Sequence, residues 1–253
     1  MSNIITIAQN TFKETIRDKI MYGILAFALL FLISTVFFGS ISLGEDIRVI
    51  KDLGLAGIYI FSIIITIFLG TSLIHKELDK RTIFIILSKP VSKIEFIIGK
   101  FFGLFSSAIL NIILMTAVYL LIVGLKGGGF DYLSLLAIFL QIFEIGIFVA
   151  ISIVFSSFTT PLAGAIYSII ILYIGHSTSL LKQSAERSSE TLKLLADGTY
   201  YLLPNLEKFN IRNSVTYGEL PNAGQIVFPA IYSIFLIIIL LWLASLALKK
   251  QEL

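Results

Sequence analysis

The side chain best suited to chemistry in this sequence is Glu144, which lies near the centre of an otherwise uncharged apolar run over residues 133–158. On insertion scales measured for other charged residues, such a group costs about 2.5–3.5 kcal/mol at the centre of a membrane-spanning helix. We therefore expect Glu144 to face protein or water rather than lipid. Asn111 lies near the middle of the preceding apolar run, and Gln141 lies one turn from Glu144 on the same helix face. We predict a Glu144–Asn111 hydrogen bond that orients the two helices. The alternative is that Glu144 takes part in a relay that passes protons or substrate.

Signatures of enzymes and of metal sites are missing from the sequence. HExxH, GxSxG and GxxxxGK[ST] do not occur, and the apolar runs contain no pair of acids. The chain has no cysteine, and the predicted topology places its two histidines, His75 and His176, on opposite faces of the membrane. We expect no metal site and no catalytic residue. His176 is predicted to be an anchor at the membrane interface near the outer end of its span.

Composition identifies an integral membrane protein. Of 253 residues, 57% are hydrophobic and 14% are charged, against about 25% charged residues in soluble domains. The net charge of +3 is too small to indicate a nucleic-acid partner. Residues 1–253 are therefore predicted to form one all-α polytopic membrane domain. Its six transmembrane helices are expected at residues 20–44, 53–74, 101–125, 133–158, 162–181 and 226–248.

Segments outside the spans also have readable patterns. Ile5, Ala8, Phe12 and Ile16 recur at helical spacing, which predicts an amphipathic interfacial helix over residues 3–18. The segment 182–225 is expected to hold one or two short extracytoplasmic helices. Basic residues are concentrated in the short segments on the side of both termini, so that both termini are predicted to be cytoplasmic.

The most charged stretch, residues 75–100, separates the second and third predicted spans. It contains five consecutive apolar residues at 83–87, too few to cross a bilayer. Pro90 ends any helix there, and Ser92 with Glu95 forms a capping-box pattern for the next helix. An apolar patch flanked by charge favours a short helix that docks a soluble partner, although a helix lying on lipid is the alternative. The candidate docking residues are Lys80, Arg81, Thr82, Ile83, Phe84, Ile86, Leu87 and Ser88.

The stretch Arg81-Thr82, the sequence Ser-Lys-Pro-Val-Ser over 88–92 and the pair Gly99-Lys100 resemble those of type-2 ABC exporter permeases. The branch that includes the membrane subunit of the nitrous-oxide-reductase maturation transporter is the most similar, also over residues 201–210. The resemblance implies a homodimer of this chain with two copies of a separate ABC ATPase, which would bind ATP and Mg. It also implies that residues 80–88, between the second and third predicted spans, form the coupling helix, which is the short helix that docks onto the ATPase. Ile83, Phe84, Ile86 and Leu87 would then be buried in the ATPase, with Lys80 and Arg81 at the rim.

These observations predict the permease subunit of an ATP-driven exporter for a lipid-like or amphiphilic substrate. Its expected location is the cytoplasmic (inner) membrane of a prokaryote, with membrane lipids and an extracytoplasmic accessory protein as further partners. An ion-coupled secondary transporter is an alternative, and so is a membrane-embedded assembly factor without an ATPase. One central acid and no visible internal repeat argue against the secondary transporter.

Overall fold

A computed structural model describes residues 2–42, 44–79, 91–185, 193, 197–198 and 203–250. The predicted coupling helix at 80–88 lies outside these residues, as does most of the segment 186–202. The predictions made for them are therefore untested.

The regular elements of the described residues are all helices, and six of the helices are long and apolar enough to cross a membrane. This confirms the predicted six-span helical class. In chain order the elements are α1 (Ser2–Ile16), α2 (Lys19–Ile41), α3 (Asp46–Asp79), α4 (Lys93–Leu125), α5 (Tyr132–Ser156), α6 (Pro161–Ala185), a 3-10 turn (Leu206–Phe209), α7 (Arg212–Thr216) and α8 (Ala223–Lys250). The spans are α2 to α6 and α8.

Two helices extend well beyond the uncharged runs that predicted them. α3 begins at Asp46 and α4 begins at Lys93, because charged residues continue a helix once it has left the apolar layer. The start of α4 is fixed by the predicted capping box. The Ser92 hydroxyl accepts from the Glu95 backbone N–H at 3.2 Å, and the Glu95 carboxylate accepts from the Ser92 backbone N–H at 2.8 Å.

The core lies around α3 and α5. In their most apolar stretches 67% and 72% of residues are buried, against 22% in α2, 28% in α6 and 11% in α8. One end of the bundle, called here the terminal face, carries α1, the last turn of α3 and the first turns of α4. There Lys76 Nζ lies 3.2 Å from an oxygen of Asp18. The other end, the distal face, carries the start of α3, the 3-10 turn and α7, and there Arg48 stacks 3.7 Å from the ring centre of Tyr217.

The start of α5 is held at the distal face by Asp131. This buried carboxylate accepts hydrogen bonds from Tyr119 Oη at 2.9 Å and from Ser134 Oγ at 2.6 Å, and it lies 3.1 Å from Lys51 Nζ. Burial acts to raise the pKa of Asp131, but the hydrogen bonds from Ser134, Tyr119 and Lys51 outweigh burial and lower it. The charged carboxylate thus ties α3, α4 and α5 together and fixes the register of α5 within the bundle.

At the terminal face α1 lies against α4 at Gly99 and Gly103. A methyl group on Gly103 would lie 2.6 Å from the Ala8 carbonyl oxygen and 2.5 Å from Thr11 Cβ, while one on Gly99 would lie 2.7 Å from Ile7 Cβ. The GxxxG spacing therefore serves close packing of α1 on α4.

Replacing Gly103 by alanine should cost about 1–3 kcal/mol, because the added methyl group overpacks the contact with α1. Gly124→Ala is the matched control in the same helix, since a methyl group there meets nothing within 4 Å. The control should be neutral or stabilising by about 0.5–1 kcal/mol. Melting temperatures of both purified variants in detergent measure the difference. Equal melting temperatures would show that α1 does not pack closely on α4.

Candidate functional site

Glu144 lies at the midpoint of α5 and is 2% exposed. Its Oε1 accepts a hydrogen bond from Tyr59 Oη of α3 at 2.7 Å. The same oxygen lies 2.9 Å from Nε2 of His176 in α6. Nε2 also contacts the Tyr59 hydroxyl, which closes a triangle of three polar atoms. Three helices therefore meet at one buried carboxylate.

His176 connects this buried triangle to the distal face. Its second ring nitrogen, Nδ1, lies 3.0 Å from Oε2 of Glu207 on the 3-10 turn. The side chain of Glu207 is 44% exposed, that of His176 21% and that of Glu144 2%. The residues Glu207, His176, Glu144 and Tyr59, here called the acid–histidine chain, thus lead from solvent to the centre of the bundle.

A cation from the segment between α6 and α8, here called the outer segment after its place in the predicted topology, completes the arrangement. The guanidinium of Arg212, in α7, lies 3.9 Å from the ring centre of Tyr59, and its Nε donates to Asn210 Oδ1 at 3.0 Å. The 3-10 turn therefore supplies Glu207 to the acid–histidine chain, and α7 supplies Arg212 beside it. Gln141 contacts α3 one turn from Glu144, since its Nε2 donates to the Ile58 carbonyl at 3.3 Å. Gln141 and Glu144 thus face the same helix.

The predicted hydrogen bond between Glu144 and Asn111 is wrong. Asn111 Nδ2 donates to the Ser107 carbonyl of its own helix at 2.9 Å, and its Oδ1 has no partner among the described residues. The face of α5 that carries Glu144 turns towards α3 and α6 rather than towards its sequence neighbour α4. The interpretation of His176 as an interfacial anchor also needs correction, because the 3-10 turn folds back to bring Glu207 onto it.

The second candidate region is the terminal face around Lys100. This lysine is 3% exposed, and its Nζ lies 2.6 Å from Glu77 Oε1 and 3.8 Å from Glu14 Oε2. The three side chains line a cavity of about 360 Å³ between α1, α3 and α4, together with Phe96 and Val91. Asp79 ends α3 and Val91 precedes α4, so the described ends of the predicted docking segment both lie at this face.

The two regions differ in what their geometry can do. The acid–histidine chain has the groups needed to hold and move protons. At the terminal face, the contacts of Lys100 with Glu77 and Glu14 connect α4 to α3 and α1. Within the parts of the chain that the structure describes, no group of three or more His, Cys, Asp or Glu side chains is placed to hold a metal ion.

Comparison with known families places the chain. The family model described as ABC-2 family transporter protein matches residues 5–253. A comparison with curated proteins gave no match.

Proposed function

We propose that this chain, which belongs to the ABC-2 family of transporter proteins, is the permease subunit of an ATP-driven exporter. The observation that carries the proposal is the family match over residues 5–253 of a chain with six candidate spans. We assign it to the cytoplasmic membrane of a prokaryote, with both termini in the cytoplasm. Within the family we favour the branch of the nitrous-oxide-reductase maturation transporter, because of residues 201–210.

In this proposal residues 80–88 form the coupling helix and dock onto a separate ATPase, which binds ATP and Mg²⁺. Two observations support that position. The flanking residues Asp79 and Val91 lie at the terminal face, and the terminal face carries α1, which the resemblance also associates with the ATPase. Closure of the ATPase would then move α3 and α4, which flank the segment, and rock the spans.

The exposed face of α6 is assigned to a second copy of the chain and to the cargo. α6 has the lowest mean hydropathy of the six candidate spans in the described residues, 1.4 against 2.3–2.7, yet only 28% of its apolar stretch is buried. Tyr173, at its midpoint, is 76% exposed. Tyrosine prefers the membrane interfaces to the hydrocarbon centre, so this face gains more from protein or amphiphilic cargo than from lipid. α8, by contrast, has a mean hydropathy of 2.7 and suits lipid.

Tyr173→Cys should crosslink two copies of the chain in native membranes treated with a short thiol-to-thiol reagent. The natural sequence contains no cysteine, so the introduced thiol is unique. Phe235→Cys is the control, since it lies near the middle of α8 and is 64% exposed. We expect a dimer band on a denaturing gel for Tyr173→Cys and mostly monomer for Phe235→Cys. Crosslinking through Phe235→Cys alone would place the second copy on α8 instead.

The proposal is tested by capture of the ATPase. Affinity purification of the tagged chain from its own membranes should recover a protein with Walker motifs and ATPase activity. Phe84→Asp should abolish that recovery, because a charge at a desolvated contact is strongly unfavourable. Phe130→Asp, at an aromatic that is 75% exposed near the distal face, should leave recovery unchanged.

Two results would contradict the proposal. If no ATPase co-purifies with the unchanged chain, the permease assignment fails. If Phe84→Asp and Phe130→Asp retain the ATPase equally, the coupling helix is wrongly placed. The alternative of an ion-coupled secondary transporter is favoured only by the acid–histidine chain, and it predicts transport by the purified chain without any ATPase.

A further inference from the structure

The acid–histidine chain has a direction, because the exposure of its side chains falls steadily from one end to the other. Glu207 is 44% exposed at the distal face, His176 is 21% exposed, and Glu144 is 2% exposed at the midpoint of a membrane span. The contacts between them are 3.0 Å and 2.9 Å, which are hydrogen-bond distances. The contacts are therefore continuous from the exposed Glu207 to the bundle centre.

The two contacts between His176 and the carboxylates need one proton more than a neutral imidazole supplies. Each ring nitrogen of His176 faces a carboxylate oxygen, and a carboxylate can only accept. A neutral imidazole carries one N–H, so one of the two contacts would be lone pair against lone pair. Both contacts become hydrogen bonds only if the imidazole or one of the two carboxylates holds an extra proton.

The charges around His176 favour holding that proton. Among the described residues, the groups that face it are Glu144 from α5, Tyr59 from α3 and Glu207 from the 3-10 turn, and Arg212 of α7 stacks on the ring of Tyr59. With the extra proton the two carboxylates are matched by Arg212 and the proton itself, and the cluster is neutral overall. Without it the cluster carries one net negative charge at membrane depth, where charge is costly.

We propose that the acid–histidine chain is a proton-binding site inside the bundle that is loaded from the distal face. Hydronium in distal water transfers a proton to the Glu207 carboxylate and becomes a water molecule. The Glu207 proton then moves to Nδ1 of His176, while the proton on Nε2 moves to Oε1 of Glu144. The N–H bond at Nε2 breaks and an O–H bond forms at Glu144, so that the imidazole changes tautomer and one proton is stored at the bundle centre.

This site goes beyond ATP-driven export, because it makes the bundle responsive to pH on one side of the membrane. Glu144 and Tyr59 lie on the two most buried spans, whereas Glu207 and Arg212 belong to the outer segment. Proton occupancy therefore changes the charge that holds the 3-10 turn and α7 onto the bundle. The conformation of the outer segment then depends on the pH at the distal face.

The test uses the full chain labelled with ¹⁵N-histidine and reconstituted into vesicles with uniform orientation. His75, near the terminal face, is the internal reference. With the distal face outside, the external medium is stepped from about pH 8 to about pH 5, which spans the range in which histidine titrates. The His176 imidazole signal should respond at once, and His75 should respond only after a protonophore is added. Infrared difference spectra should show a new protonated-carboxyl band that is absent in Glu144→Gln.

Variants distinguish a proton path from a merely structural cluster. Glu207→Gln should slow the His176 response by about 10²–10⁴-fold, the usual contribution of a positioned proton-transfer group. Glu219→Gln, another exposed carboxylate of the outer segment, should not change the rate. Glu144→Gln should displace the midpoint of the His176 response by about tenfold or more in proton concentration.

Three outcomes would overturn the proposal. The first is a His176 signal that responds only to acidification at the terminal face. The second is a carboxyl band that survives in Glu144→Gln. The third is equal rates in Glu207→Gln and Glu219→Gln, and this comparison remains decisive even if Glu144→Gln does not fold.

Discussion

Lys100→Met is expected to destabilise the protein by about 3–5 kcal/mol, the usual result of removing one partner from a buried ion pair. Lys100 is 3% exposed, and its Nζ lies 2.6 Å from Glu77 Oε1. The side chain of Glu77 is only 15% exposed, so its carboxylate would lose the cation at 2.6 Å in a poorly solvated place. Methionine keeps most of the length and volume of lysine. The loss of stability therefore measures the removal of the charge rather than the creation of a cavity.

Lys93→Met is the matched control, because Lys93 also lies in the first turns of α4 and, among the residues that the structure describes, its one polar contact is with the Leu248 carbonyl at 3.4 Å. Its cost should stay within about 0.5 kcal/mol. Reversible unfolding in detergent measures both variants. Combining Lys100→Met with Glu77→Leu should recover much of the loss, since the buried carboxylate is then removed together with its cation and the remaining acid, Glu14, is 52% exposed. Equal stabilities of Lys100→Met and Lys93→Met would show that the ion pair contributes nothing.

The Lys100 variant also bears on function. Lys100 joins the last turns of α3 to the first turns of α4, and these two helices flank the segment that we assign to the coupling helix. We therefore expect Lys100→Met to weaken recovery of the ATPase partially, and Lys93→Met to leave it unchanged. We expect a complete loss of ATPase recovery only for Phe84→Asp, because that substitution alters the proposed contact itself.

The spans could be predicted from sequence because a long uncharged apolar run has few alternatives to crossing a membrane. The capping box at Ser92 could be predicted for a similar reason, since it is a local pattern in which both hydrogen bonds join residues three apart. The true ends of α3 and α4 could not, because hydropathy marks the apolar layer and a helix does not stop where that layer ends.

The partners of Glu144 could not be predicted either. Tyr59 is 85 residues away in sequence and His176 is 32 residues away, and both lie in predominantly apolar spans. Without a polar face, a span does not reveal which side turns inwards, so Asn111 was as reasonable a partner as His176. One available signal was depth. Tyr59 and His176 lie towards the distal ends of their predicted spans and Glu144 lies at the centre of its own, and polar groups inside a membrane tend to find one another.

The strength of the Glu144–His176 contact should appear in a double-mutant cycle. Glu144→Leu alone leaves Nε2 of His176 and the Tyr59 hydroxyl without this acceptor, and His176→Leu alone leaves a carboxylate that is 2% exposed with only the Tyr59 hydroxyl as partner. Each single change should cost about 3–5 kcal/mol if the pair is charged. The double variant removes both groups and should cost less than the sum, with a coupling energy of about 0.5–3 kcal/mol.

Glu144→Leu combined with Lys93→Met is the control cycle, because these residues lie in different regions and share no contact among the described residues. Its two effects should add to within about 0.5 kcal/mol. The same cycle measured at high and low pH then separates two roles for the contact. A coupling energy that changes with pH means that the pair exchanges a proton, whereas a constant one means that it only ties α5 to α6. An additive Glu144→Leu/His176→Leu variant would mean that the pair stores no interaction energy, and the acid–histidine chain could then serve neither role.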